Sequence, residues 1–168
     1  MTSGNKVETS NRELNDAERE EFILNNNWGF LAFAGDKPYA IPVSYVYRKG
    51  TFIIGLATPG RKMDYIQKSR NVSFTIAKPH VLTGFKEPCS GVMVEGELEE
   101  VPDRAYYGMD KELPEMPENL KLFRIKVDKV GSRKCTNIPC RVFTPEIKKG
   151  WVSAEVYAHQ VHEGRMSK

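Results

Sequence analysis

Arg61 and Lys62 follow Thr58-Pro59-Gly60 at the end of an apolar run, Ile53-Ile54-Gly55-Leu56-Ala57, and they open a segment with helical spacing. Two adjacent cations at a glycine-bearing strand-to-helix turn suit the holding of an anion. Gly60 lets the backbone approach a ligand closely, a helix N-terminus offers unpaired N–H groups, and the cationic side chains carry the charge a phosphate needs. The same residues also suit an ordinary turn with two solvated cations, and local sequence does not choose between the two. Other chemistry is sparse. His80 follows Pro79 in a loop, and His159 and His162 lie in the polar C-terminal tail, where solvated histidines are expected. No Ser/His/Asp set or paired carboxylates stand out, so no catalytic residue is assigned. Cys135 and Cys140 lie five apart around Pro139 with no nearby histidine, too few ligands for a metal site.

Elements able to present the turn can be read on either side of it. Asn15 or Asp16 caps a helix to about Leu24, with Glu18, Glu20 and Glu21 near its positive end and Asn25-Asn26-Asn27 as its stop. Trp28 to Ala34, Tyr39 to Tyr47, Thr51 to Ala57 and Val72 to Ala77 are short aromatic and β-branched runs, which predict an antiparallel meander. A helix over about Arg61 to Arg70 places Met63, Ile66 and Tyr65 toward one face, suited to plugging the end of a barrel. Gly91 to Glu100 alternates Val92 and Val94 with Met93 and Glu95, and Leu120 to Val130 sets Phe123, Ile125 and Val127 on one side. Six strands with short connections predict a mainly β fold, a small antiparallel barrel with peripheral helices. Residues 103–118 hold a short helix at most, because Pro114 and Pro117 break any continuation. The chain divides into a mobile segment 1–14, a barrel domain 15–143 and a tail 144–168. In the tail, Trp151, Val152, Val156 and Tyr157 suit one more helix against the barrel or a partner subunit.

Composition sets looser bounds. With 168 residues, 40% hydrophobic and 28% charged, the chain can build a full core without staples. A net charge of +3 with dispersed cations argues against nucleic acid as partner. No apolar run has the length of a membrane span, and the first thirty residues are too polar and acidic for a signal peptide, so a cytoplasmic, membrane-free protein is expected. Three cysteines suit reduced thiols. Cys89 is expected to be a small buried filler.

One ordered series of segments says more. Pro38-Tyr39, Ile41-Pro42-Val43-Ser44-Tyr45-Val46-Tyr47, Lys49-Gly50, the strand to Ala57, Gly60-Arg61-Lys62, Asn71-Val72-Ser73-Phe74-Thr75-Ile76 and Val92-Met93-Val94-Glu95-Gly96-Glu97 follow one another in turn. In order and spacing this resembles the pyridoxamine 5'-phosphate oxidase-like, FMN-binding split barrels, and among them the nitroimidazole-resistance-like branch. The likeness covers roughly residues 15 to 135. It implies a six-stranded split barrel, FMN as cofactor, and a homodimer with flavin sites between the subunits. It also implies cofactor-binding positions at Ile41, Pro42, Val43 and Ser44 along the flavin ring, with Leu56, Ala57, Thr58, Gly60, Arg61 and Lys62 leading to and holding the phosphate. A single phosphate seat favours FMN over FAD or riboflavin. Haem or a deazaflavin in the same slot is the weaker alternative.

Departures from the family pattern narrow the activity. Pyridoxamine phosphate oxidases proper carry an arginine and a lysine where this chain has Ile41 and Val46, so a second phosphate from substrate lacks its cations. The histidine of nitroimidazole-resistance proteins aligns with Gly55. The resemblance thus implies one of two function classes. One is a flavin-dependent oxidoreductase reducing small, planar, electron-poor molecules of nitroaromatic or quinone type, its FMN charged by an outside donor. The other is a non-catalytic flavin-nucleotide-binding, storage or electron-carrier protein. Tyr45, Tyr47, Trp28, Trp151 and Tyr157 are a surplus of large amphipathic side chains for one small barrel, and they favour a subunit interface.

Overall fold

The computed structural model describes residues 11–78 and 88–136. His80, Cys140, Trp151, Tyr157, His159, His162 and the expected tail helix lie outside the described residues. In chain order the elements are β1 (Asn11–Arg12), α1 (Asp16–Leu24), β2 (Trp28–Phe33), β3 (Tyr39–Ser44), β4 (Val46–Arg48), β5 (Thr51–Ala57), α2 (Arg61–Lys68), β6 (Asn71–Lys78), β7 (Ser90–Glu100), a 3-10 turn (Ala105–Tyr107), α3 (Met109–Glu112) and β8 (Leu120–Cys135). The described residues fall into two compact units. The larger holds residues 15–76 and 92–132; the smaller includes 11–14 and 133–136.

Helix α1 starts where its cap predicts. Asn15 Oδ1 accepts from the Glu18 amide at 2.9 Å, and Glu18 Oε2 accepts from the Asn15 amide at 3.1 Å, so two orphan donors are satisfied reciprocally. Residues 11 and 12, inside the segment expected to be mobile, pair with Cys135 and Lys134, and Leu14 behind them is buried. An apolar side chain that finds cover fixes its neighbours.

The sheet runs β3-β2-β6-β7-β8-β5-β4, with β1 added on β8. The β2/β3, β2/β6, β4/β5 and β5/β8 pairings are antiparallel. The run Tyr39 to Tyr47, expected as one strand, is two, interrupted at Tyr45. That break decides the architecture. Strands β3 and β4 stand at opposite ends of the path yet are separated by one residue, so the sheet has to curl until its ends meet. The result is a mainly β split barrel. The break has a local cause. The Tyr45 amide donates to Asn27 O at 2.9 Å, its hydroxyl donates to Ile23 O at 2.7 Å, and its ring sits edge-on to Phe52 and Phe74, each at 5.4 Å. Tyr45 is therefore a core side chain, 5% exposed; its satisfied hydroxyl removes it from the set expected at an interface.

Strand β7 alternates as expected, with Val92, Val94 and Leu98 buried and Met93, Glu95 and Glu97 exposed. At Gly96 a Cβ would run into the backbone carbonyl of Lys126, so β8 passes too close there for any side chain. Strand β5 breaks alternation: Phe52, Ile53 and Ile54 are all buried. Phe52 faces the aromatic core, whereas Ile53 is covered from the other side by Tyr107, Met109 and Leu122. No helix among the described residues is long and apolar enough to cross a membrane.

Burial pushes the Tyr45 phenol up from its ordinary 10 to about 12, because desolvation penalises the phenolate. The folded state thus holds this proton more tightly than the unfolded chain does. The stabilisation is complete below about pH 10 and is lost as pH rises toward 12. Denaturant titrations should show about 1–3 kcal/mol of stability disappearing across that interval, and Tyr45→Phe should flatten most of the slope. Parallel pH profiles for parent and variant would exclude Tyr45 as the source.

Candidate functional site

The turn ahead of α2 is shaped by its backbone. Gly60 has φ 146° and ψ 167°, a combination open to glycine alone, and its carbonyl accepts from the Met63 amide at 2.8 Å. No side chain caps the first turn of α2, so its leading N–H groups point outward. The Thr58 amide donates to Asn119 O at 2.6 Å, which ties the turn to the start of β8.

Beside this turn lies a cleft of about 510 Å³ on the outer face of β5 and β8, within the usual 300–1,000 Å³ of small-ligand sites. The register explains its floor. Gly55 opposes Leu122 and Ala57 opposes Leu120, so these four share one face. Gly55 is exposed, and the nearest atoms a Cβ there would meet are Leu120 and Leu122 methyl groups at 3.4 to 3.9 Å. Its missing side chain leaves the floor flat and is not demanded by packing. Of the ten positions expected to hold a cofactor, Ile41, Pro42, Val43, Ser44, Leu56, Ala57 and Lys62 line this cleft. Pro42 sits on β3, the terminal strand of the path, where a missing N–H is tolerated.

Thr58 and Gly60 form the turn and are not in the lining. Arg61 faces elsewhere: its guanidinium lies over the Tyr39 ring at 4.5 Å and the Tyr65 ring at 5.6 Å, and donates to Tyr65 Oη at 3.3 Å. Two cations adjacent in sequence thus serve two different surfaces, because successive helix positions are about 100° apart.

The far wall went unread in the sequence. Met109 and Leu113 close the cleft from the excursion between β7 and β8. Arg48 Nη1 donates to Tyr107 O at 2.9 Å and its other terminal nitrogen pairs with Glu112. Arg124 reaches Tyr107 Oη at 2.9 Å and Glu99 Oε2 at 2.6 Å. The hydrogen bonds to Tyr107 and Glu99 hold the Arg124 guanidinium above its ordinary pKa, against a smaller desolvation cost. The prolines at 114 and 117 erase helical periodicity here; the one available signal was a cluster of Tyr106, Tyr107, Met109 and Leu113 in a polar stretch.

Chemically the cleft is apolar with one cation at its end. Ile41 and Val46, the two positions expected to lack the cations of the oxidases proper, line it as aliphatic groups. Tyr45 and Lys62 are the titratable residues in the lining, and the Tyr45 hydroxyl is committed to Ile23. Cys89 is half-buried, not buried, and its carbonyl accepts from the Cys135 amide at 2.9 Å.

A curled antiparallel sheet with an external cleft between its edge strand, its outer face and a glycine turn defines a split-barrel protein whose cleft has the size of a small-ligand site. Residues 15–124 match the pyridoxamine 5'-phosphate oxidase family model, and the chain belongs to that family. Among solved structures it is similar to an FAD-binding protein of Mesorhizobium loti, with 24% identity, a TM-score of 0.60, and coverage of 77% of this chain and 100% of that one. A 5-nitroimidazole antibiotic resistance candidate from Bacteroides thetaiotaomicron is similar at 17% identity and a TM-score of 0.58, over 76% and 89% of the two chains. An FAD-binding protein of Mycobacterium smegmatis matches at 17% and 0.58, over 73% and 98%. At these identities the likeness speaks for the fold. No curated protein matches by sequence.

Proposed function

We propose that this chain is an FMN-binding flavoprotein of the cytoplasm that reduces small, planar, electron-poor acceptors of nitroaromatic or quinone type, and that two copies close the flavin sites between them. The observation that carries the reading is the composition of the cleft: a flat, apolar floor about Gly55 that runs toward Lys62 beside an uncapped helix start. The FAD-binding relatives support a flavin. An elongated ligand with a planar ring at one end and a phosphate at the other matches that gradient of polarity.

In this reading the Lys62 side chain and the backbone of the turn Thr58–Arg61 hold the phosphate, while the Arg61 side chain faces the other way. Ile41 to Ser44 bound the ring along the free edge of β3, Leu56 and Ala57 carry the ligand from floor to turn, and Met109 with Leu113 excludes water. FMN, when bound, supplies hydride or single-electron transfer; the side chains bind and orient. The same cleft gives a substrate phosphate no second cation, which argues against oxidation of pyridoxamine phosphate.

One observation favours a second reading, a flavin-nucleotide store or electron carrier. Lys62 is the one titratable side chain in the cleft's lining whose proton is not already committed, so reduction of a bound acceptor draws its protons chiefly from Lys62 or solvent. Reoxidation of reduced protein separates the two: an enzyme is accelerated by particular acceptors, a carrier shows no preference.

Gly55→Ile tests the site. A β-branched side chain is at home in a strand, so folding should survive by circular dichroism, while the filled floor should abolish the flavin absorbance seen in freshly purified parent protein. A variant that keeps its flavin through gel filtration puts the ring elsewhere, and a haem spectrum in the parent replaces the flavin altogether.

A further inference from the structure

Two of the three cysteines in the sequence meet across the sheet. Strands β7 and β8 are neighbours, and they run antiparallel. The Val101 amide, just past β7, donates to Leu122 O near the start of β8, and the Cys135 amide at the end of β8 donates to Cys89 O just ahead of β7, each at 2.9 Å. In an antiparallel ladder such a bond joins residues that stand directly opposite, with Cα atoms about 5.5 Å apart and both side chains on one face. That separation falls inside the roughly 4.4 to 6.8 Å that a disulfide spans. Cys135 is also fixed from its other side, where Asn11 of β1 is its register partner. Both cysteines are thiols and both are half-buried, so the backbone holds them in place while part of each residue stays open to a small reagent. Neither lines the cleft at Lys62.

From this pairing we infer a reversible thiol–disulfide site, in which a small-molecule disulfide oxidises Cys89 and Cys135 to a cross-strand bond. One thiol loses its proton and attacks a sulfur of the reagent; the reagent's S–S bond breaks and its first half leaves as a thiolate. The opposite cysteine, deprotonated in turn, attacks the protein sulfur of the mixed disulfide, forms the Cys89–Cys135 bond and releases the second half. Two protein thiols are oxidised, one reagent disulfide is reduced to two thiols, and the two protons pass to the leaving thiolates. The ladder favours the second step, because a thiol already opposite its partner meets it at an effective concentration that an unfolded chain does not reach. The bond closes a loop from residue 89 to residue 135 that contains β7, α3 and β8, and so opposes unfolding of that stretch. Where thiols are kept reduced it forms transiently, as a response to oxidant. No step involves a flavin.

Oxidised glutathione is the probe, added to full-length parent protein and to Cys140→Ser, with iodoacetamide alkylation and mass spectrometry of unreduced peptides as the readout. The expected product in both is an intrachain link between the Cys89 and Cys135 peptides, reversed by dithiothreitol. The same reaction in guanidinium chloride should form that link at least about tenfold more slowly. The bonded native protein should unfold at a midpoint at least about 5 °C above that of the reduced form. Complete alkylation of both cysteines, stable glutathione adducts on both, a link to Cys140 in place of the expected one, or a link between chains each overturns the inference. Equal rates in native and denatured protein overturn it as well, because the fold then contributes nothing to the pairing. So does a bonded form that melts no higher than the reduced one, since the link is then made at the expense of the sheet.

Discussion

Lys62→Ala combined with Arg61→Ala should weaken the proposed FMN binding by about 2 to 5 kcal/mol, the usual cost of removing charged partners from a partly desolvated anion, and Lys62→Ala alone should account for most of it. Lys62 is the cation in the lining of the apolar cleft, whereas Arg61 rests on Tyr39 and Tyr65. The fold should be indifferent. Lys62 is half-exposed, Arg61 is exposed and neither joins an ion pair among the described residues; surface changes of this kind move stability within about 0.5 kcal/mol. Riboflavin provides the internal control, since it lacks the phosphate. Its affinity should be weak in the parent and unchanged in both variants. Isothermal titration with the two ligands is the measurement, and a parent that binds riboflavin as tightly as FMN would remove the anion from the account.

How much of this was readable in the sequence depends on whether the signal was local. The start of α1 was, because Asn15 and Glu18 form a capping box within four residues. The alternation of β7 was, because period-two burial is written into consecutive positions. The turn at Gly60 was, because its backbone needs a residue without a Cβ. Tyr45 was misread because what removes it from the strand is nonlocal: a carbonyl of α1 and two rings from β5 and β6. The split of Arg61 from Lys62 was hidden for a related reason. Both are cations at a helix start, and the Arg61 side chain is drawn to its own surface by Tyr39, three strands earlier, together with Tyr65. The wall of Met109 and Leu113 depends on Arg48 and Arg124, cations that composition counts but cannot aim.

The proposed dimer has the consequences with the widest reach. In a single chain the cleft stays open: Pro42, Ser44, Gly55 and Ala57 are all exposed, whereas small-ligand sites bury 70–90% of what they hold. Beside it lies an apolar strip that nothing in the chain's described residues covers. Trp28 and Phe30 are 48% and 45% exposed and meet edge-to-face at 4.8 Å. Their register on β3 is Ser44 and Pro42, so they flank the rim of the cleft. Paired aromatics of this kind dominate interface energetics. A second copy laid on the strip would therefore cover the open side of the ligand as well, and FMN would stabilise the dimer by mass action. Trp28→Arg with Phe30→Glu should shift the protein to monomer at micromolar concentration and weaken FMN retention at least about tenfold, with the fold kept because both side chains already face solvent. Sedimentation with absorbance detection at a flavin wavelength reads mass and occupancy in one experiment. A monomer that still carries one FMN per chain refutes the shared site, and it does so without disturbing the case for the cleft, since Lys62 and Gly55 belong to a single copy.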